Sequence, residues 1–205
     1  MHRPSKAKRL LPISLIGGAL LAAGTLAIPN PLRALARGLF GFVCEDRVCV
    51  DDPRRLAEAQ QLVRFARADV AQKLGAPVAP RLALFCSSEA CFGTFGRRRS
   101  TAVTYGGEAI LIGPRGWSPH FVRHELIHVA QYEKLSFMRA WRGPRWINEG
   151  MAYSLSEDPR HPLPAELEAW RTQYEGSLGG ERGKALWDRV EALYSSGQAR
   201  VEWKR

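Results

Sequence analysis

TAVTYGGEAILIGPRGWSPHFVRHELIHVAQ, Thr101 to Gln131, passes from one kind of periodicity to another without a break. TAVTY and EAILI are short, apolar and partly β-branched, with Gly106-Gly107 between them. Two glycines tolerate the positive φ angles of a two-residue turn, so the segment predicts an antiparallel hairpin. Gly113, Pro114 and Gly116 then mark a loop, and Ser118-Pro119 opens a helix with a capping hydroxyl and a first-turn proline. Leu126, Val129 and Ala130 supply that helix with a core face, leaving His124 and His128 to look elsewhere. Strands feeding a long helix, rather than alternating with helices, point to an α+β fold with a small mixed sheet.

The pattern continues outward. Asp52-Pro53 predicts a helix start, apolar residues recur at Leu56, Ala59, Leu62, Val63, Ala66, Val70 and Leu74, and Gly75 can end the helix. RLALF, up to Phe85, reads as a buried strand. Beyond the histidine helix and a loop, only helices follow: one from Gly143-Pro144 through WINEGMAYSL, then PAELEAWRTQY and ERGKALWDRVEALY. No internal repeat interrupts this order.

Composition bounds the rest. A chain of 205 residues suits one well-buried domain. The net charge of +10 raises nucleic acid as a partner, but MHRPSKAKR at the start carries four uncompensated cations, and removing them leaves +6. Arg97-Arg98-Arg99 is the other local cluster and reads as a solvated loop; no nucleic-acid motif accompanies it, and no nucleic-acid partner is expected. Residues 10 to 28, LLPISLIGGALLAAGTLAI, are uncharged and follow the basic segment. At about 1.5 Å per residue they just span a hydrocarbon core of about 30 Å. Residues 1–29 therefore read as a signal-anchor or a signal peptide, 30–40 as a connector and 41–205 as the folded domain. Either reading places the domain outside the cytoplasm, periplasmic or secreted, with the membrane as a partner if the segment stays uncut.

The four cysteines fall in two equally spaced pairs, CEDRVC (Cys44, Cys49) and CSSEAC (Cys86, Cys91). An exported chain with an even count favours disulfides over a structural zinc site, which prefers a two-residue gap. Three pairings are possible, the local one being simplest.

His124-Glu125-Leu126-Ile127-His128 carries the chemistry. In a helix, positions i and i+4 lie on one face about 6 Å apart, so both imidazoles can point at one metal ion. Glu125 is turned about 100° from His124 and cannot easily join them, but it can reach a water on that ion. Catalytic zinc usually has three protein ligands. The extended pattern with a glycine and a third histidine is excluded, because Gln131 and Lys134 occupy those positions. Glu149, in WINEGMA, is the candidate third ligand if its helix folds back antiparallel, with Gly150 letting those two helices approach closely. Glu133 points off the histidine face, and Glu157 and Asp158 fall beyond the helix, next to Pro159. His120 lies two turns from His128, about 12 Å, too far to share an ion; it is a cleft-lining position at most. The tryptophans read as core and loop anchors rather than a carbohydrate platform.

His124-Glu125-Leu126-Ile127-His128 and Trp146-Ile147-Asn148-Glu149-Gly150-Met151-Ala152 together resemble the gluzincin metallopeptidases, the clan of thermolysin and the membrane-alanyl aminopeptidases, in its small bacterial envelope forms. The resemblance covers roughly residues 80 to 160 and is specific at the ligands. It implies a zincin-like domain, Zn2+ held by His124, His128 and Glu149, and Glu125 as general base in peptide-bond hydrolysis. The exopeptidase glycine motif of the aminopeptidases is missing, which makes an endopeptidase the expectation. Clan members add a Tyr or His to stabilise the oxyanion; Tyr153, His161 and Tyr174 are the candidates, unranked. The EAILI strand is similar to the clan's cleft strand, so a peptide or protein substrate could pair with its edge. The alternative is a non-catalytic, membrane-anchored binding domain that keeps the fold.

Overall fold

The computed structural model describes residues 33–34, 37–96 and 100–196; the apolar N-terminal segment, the triple arginine and Trp203 lie outside the described residues. The fold is α+β, with a five-stranded mixed sheet and a C-terminal half built of helices.

Strands β1 (Val43–Glu45) and β2 (Val48–Val50) form a hairpin in which Cys44 faces Cys49 and is bonded to it. Asp46 and Arg47 both take positive φ, 48° and 68°, as a two-residue turn demands. Asp52 accepts the Arg54 N–H and caps a short 3-10 turn, Pro53–Arg55, that runs into helix α1 (Leu56–Leu74). Ala59, Val63, Ala66, Val70 and Leu74 form its buried stripe, and Gly75 ends it at φ 71°. Strand β3 (Leu82–Phe85) then pairs parallel with β2. Helix α2 (Glu89–Thr94) is capped by the Ser88 hydroxyl and tied to the end of β3 by the Cys86–Cys91 disulfide. Both pairings are thus the local ones.

The hairpin of β4 (Ala102–Tyr105) and β5 (Ala109–Ile112) departs from the expected two-residue turn. Tyr105 faces Ala109, so Gly106, Gly107 and Glu108 all belong to the turn, closed by Glu108 N–H donating to the Tyr105 carbonyl at 3.2 Å. Of the two glycines only Gly106 has positive φ. The physical reason is register: slipping β4 by one residue would exchange its two faces. The observed pairing keeps Val103 and Tyr105 against the back cluster and leaves Thr104 facing the helices.

The strand order is β1-β2-β3-β5-β4, with β5 parallel to β3 and antiparallel to β4. β2, β3 and β5 are buried on both faces, which explains their unbroken apolar runs. Val48, Val50, Ala83, Phe85, Ile110 and Ile112 pack towards the long helices. Cys49, Leu82, Leu84, Ala109 and Leu111 pack on the other face with Phe42, Phe92 and Phe95.

Helix α3 (Pro119–Leu135) lies across the helix-side face and buries Val122, Leu126, Ile127, Val129 and Ala130. Ser118 occupies its N-cap position, yet the hydroxyl makes no cap bond; the His120 imidazole, 3.1 Å away at Nδ1, takes it instead. A short helix, α4 (Phe137–Arg142), fills what reads as loop in sequence, and α5 (Arg145–Leu155) packs against α3. Helices α6 (Ala165–Leu178) and α7 (Gly183–Ser195) complete the chain's described part.

Gly150 does permit a close helix approach, but to α6 rather than α3. A Cβ there would collide with the Trp170 carbonyl oxygen and sit 2.9 Å from Tyr174 Cβ. Successive helical residues project about 100° apart, so with Glu149 turned to the histidines its neighbour faces the next helix.

Candidate metal centre

His124 and His128 project from adjacent turns of α3, and Glu149 reaches them from the middle of α5. His124 Nε2 and His128 Nε2 are 3.1 Å apart, and Glu149 Oε2 is 3.5 and 3.6 Å from them. Ligands at about 2.0–2.1 Å from a tetrahedral ion stand roughly 3.3–3.4 Å apart, so the triangle has the dimensions of three corners of such a shell. Two imidazole nitrogens and a carboxylate oxygen, nitrogen-rich and borderline-soft, suit zinc among the common divalent ions. The residues present fit the group.

Electrostatics agrees. Burial alone would push the His128 pKa down, but the Glu149 carboxylate outweighs it and lifts the value to about 9. Burial would raise Glu149; the charge and hydrogen bonds of His128 and His124 reverse that and hold it well below the ordinary carboxylate range. Without a metal the three donors need a shared proton, and a divalent cation satisfies the same charge demand.

The triangle opens into a cleft of about 460 Å³. Glu125 is buried, not part of the triangle, and lines the same cleft. Thr104 donates its hydroxyl to Glu125 Oε2 at 2.6 Å, leaving Oε1 for another partner. Arg145 approaches the outer oxygen of Glu149 at 3.4 Å.

The three oxyanion candidates separate. Tyr153 lines the cleft with its ring centroid 4.5 Å from that of His124, edge to face, and burial followed by the Glu149 charge pushes its pKa up to about 12. His161 is exposed and bonds to Arg171 at 2.6 Å. Tyr174, on α6, is fully buried where that helix meets Gly150 of α5. Neither lines the cleft. His120 is absent from the ligand triangle and from the cleft wall; its ring lies 4.2 Å from that of Phe121, centroid to centroid and tilted by 39°. Glu157 and Asp158 follow the end of α5 and pair with Lys73 and Arg160. Asp51, Cys86 and Cys91 also lie close together, but the two sulfurs are spent on their disulfide.

The strand beside the cleft differs from expectation. β5 has β3 on one side and β4 on the other, so EAILI offers no free edge; among the described residues β4 does, and it lines the cleft. The reason is that the chain runs β4 first on the outside and returns inward to β5. Thr104, Gln131 and Arg160 are site residues that sequence reasoning missed. Thr104 and Gln131 reach the motif through hydrogen bonds with no sequence signature. Arg160, fixed by its ion pair with Asp158, enters the cleft from beyond α5.

Compared with known families, with curated proteins and with solved structures, the chain matches none.

Proposed function

We propose that this chain is a zinc-dependent peptidase, most simply an endopeptidase, acting outside the cytoplasm. The observation that carries the reading is the convergence of His124, His128 and Glu149 in an open cleft beside the buried carboxylate of Glu125. Zinc, when bound, supplies the Lewis acidity that brings a water's pKa towards about 7 and polarises the scissile carbonyl. Glu125 takes a proton from the water as its oxygen attacks the carbonyl carbon, and passes that proton to the nitrogen as the C–N bond breaks. Thr104 occupies one Glu125 oxygen, which leaves the other to accept the proton. The Tyr153 hydroxyl donates to the carbonyl oxygen as negative charge develops there. An extended peptide or protein segment pairs with the free edge of β4 through main-chain hydrogen bonds.

Export and membrane attachment through residues 10–28 belong to the same proposal; the two disulfides support an oxidising compartment. The test uses the full chain in detergent. Metal analysis should find one zinc per chain, and Glu125→Gln should retain that zinc while losing casein hydrolysis by at least about a hundredfold. Unchanged hydrolysis by the variant would remove Glu125 from the mechanism; a metal-free protein would remove the peptidase reading altogether.

A further inference from the structure

Gln131 lies one turn beyond His128 on α3 and is 2 % exposed. Its Oε1 is 2.8 Å from His128 Nδ1. Its Nε2 donates to the Asn148 backbone carbonyl at 2.9 Å and lies 3.4 Å from Met151 Sδ. The direction of this chain of bonds is forced. A backbone carbonyl can only accept, so the amide nitrogen must face Asn148 and the amide oxygen must face His128. That oxygen also can only accept, so His128 Nδ1 carries a proton. A neutral imidazole protonated at Nδ1 keeps its lone pair at Nε2, the atom that faces His124 and Glu149.

We propose that Gln131 is a positioning residue for the metal: it selects the ligating tautomer of His128 by borrowing the backbone of the helix that supplies Glu149. The inference rests on the zinc reading above and deepens it. One side chain thereby links both ligand-bearing helices, because its second partner, Asn148, immediately precedes Glu149.

The surroundings argue against a filler role. A buried amide is costly unless its polar atoms are bonded, and an apolar residue would pack here without that demand. Both amide protons are directed at α5, one to a carbonyl and one to a thioether, and a flipped amide would set its oxygen against two acceptors. The Asn148 side chain is engaged elsewhere: its amide nitrogen donates to the Ala140 carbonyl at 2.5 Å and its oxygen accepts from the Tyr194 hydroxyl at 3.2 Å. The contact to Gln131 is therefore through backbone alone, and its geometry follows the position of α5 itself.

The experiment compares zinc affinity of the full chain and of Gln131→Met by competition with a chelator, and reads the histidine ring nitrogens of the zinc-loaded wild type by 15N NMR. The expected results are zinc binding weakened about 10- to 100-fold in the variant, and a slowly exchanging His128 Nδ1 proton with Nε2 bound to zinc in the wild type. The ring-nitrogen measurement needs no variant and is untouched by any folding defect of Gln131→Met. Affinity within about twofold of wild type, or zinc on His128 Nδ1, overturns the inference while the metal centre stands. A wild-type chain that binds no zinc overturns both.

Discussion

Thr104 on the edge strand donates its hydroxyl to Glu125 in the middle of α3, at 2.6 Å from Oε2. The same hydroxyl lies 3.1 Å from the Glu125 backbone carbonyl. A strand that borders the cleft thus also orients the proposed base.

Replacing Thr104 by valine keeps the shape and removes the donor. The expected outcome is a drop in kcat of roughly tenfold with KM little changed, since the lost contact acts on the base rather than on substrate binding. Thr104→Ser should restore most of the rate. Steady-state kinetics on a peptide substrate checks both, and a Thr104→Val variant that hydrolyses the peptide with wild-type kcat would make the hydrogen bond incidental.

If the triad holds zinc as proposed, metal removal should be felt by the whole domain, because His124 and His128 come from α3 and Glu149 from α5. Zinc present at about a thousand times its dissociation constant stabilises the folded state by roughly 4 kcal/mol. Chelation should therefore lower Tm by several degrees, and re-addition of zinc should recover it. Glu149→Ala should show neither response in thermal unfolding.

Gly150 has no room for a methyl group against Trp170 and Tyr174. Gly150→Ala is expected to cost about 1–3 kcal/mol through overpacking between α5 and α6, despite alanine's better helix propensity. Urea denaturation measures the loss; a gain in stability would show that α6 moves aside freely.

Asp158 is buried beside the end of α5, and its Oδ1 accepts from Arg160 Nε at 2.8 Å. Burial would raise its pKa, but the hydrogen bonds from Arg160 outweigh that and hold it below the ordinary 3.8. A carboxyl depressed in the folded state stabilises above the unfolded value, and that contribution fades as pH falls through the folded value. Asp158→Asn should thus be less stable than wild type by about 1 kcal/mol at pH 7, allowing for the partly exposed Arg160. The difference should shrink below about pH 3.8, and denaturation at the two pH values tests the sign.

Spacing along the chain was enough to specify the helix of His124 and His128, the stripe of α1, the identities of β3, β4 and β5 and the order that makes the fold α+β. These are local properties: the direction of a side chain about its own helix axis, or its alternation along a strand, follows from position in the chain. Spacing also brought the cysteines of each pair within reach, although it left three pairings open. Packing in three dimensions was needed to show that Glu149 faces the imidazoles while Gly150 faces α6, that among the described residues β4 rather than β5 is the edge strand at the cleft, and that Tyr153 alone of three candidates enters the cleft. It also turned Gln131, which in sequence merely rules out one histidine pattern, into the partner of His128. Such relations depend on which faces of separate elements pack together, and that is settled by burial summed over the whole core, not by the residues between one glycine and the next.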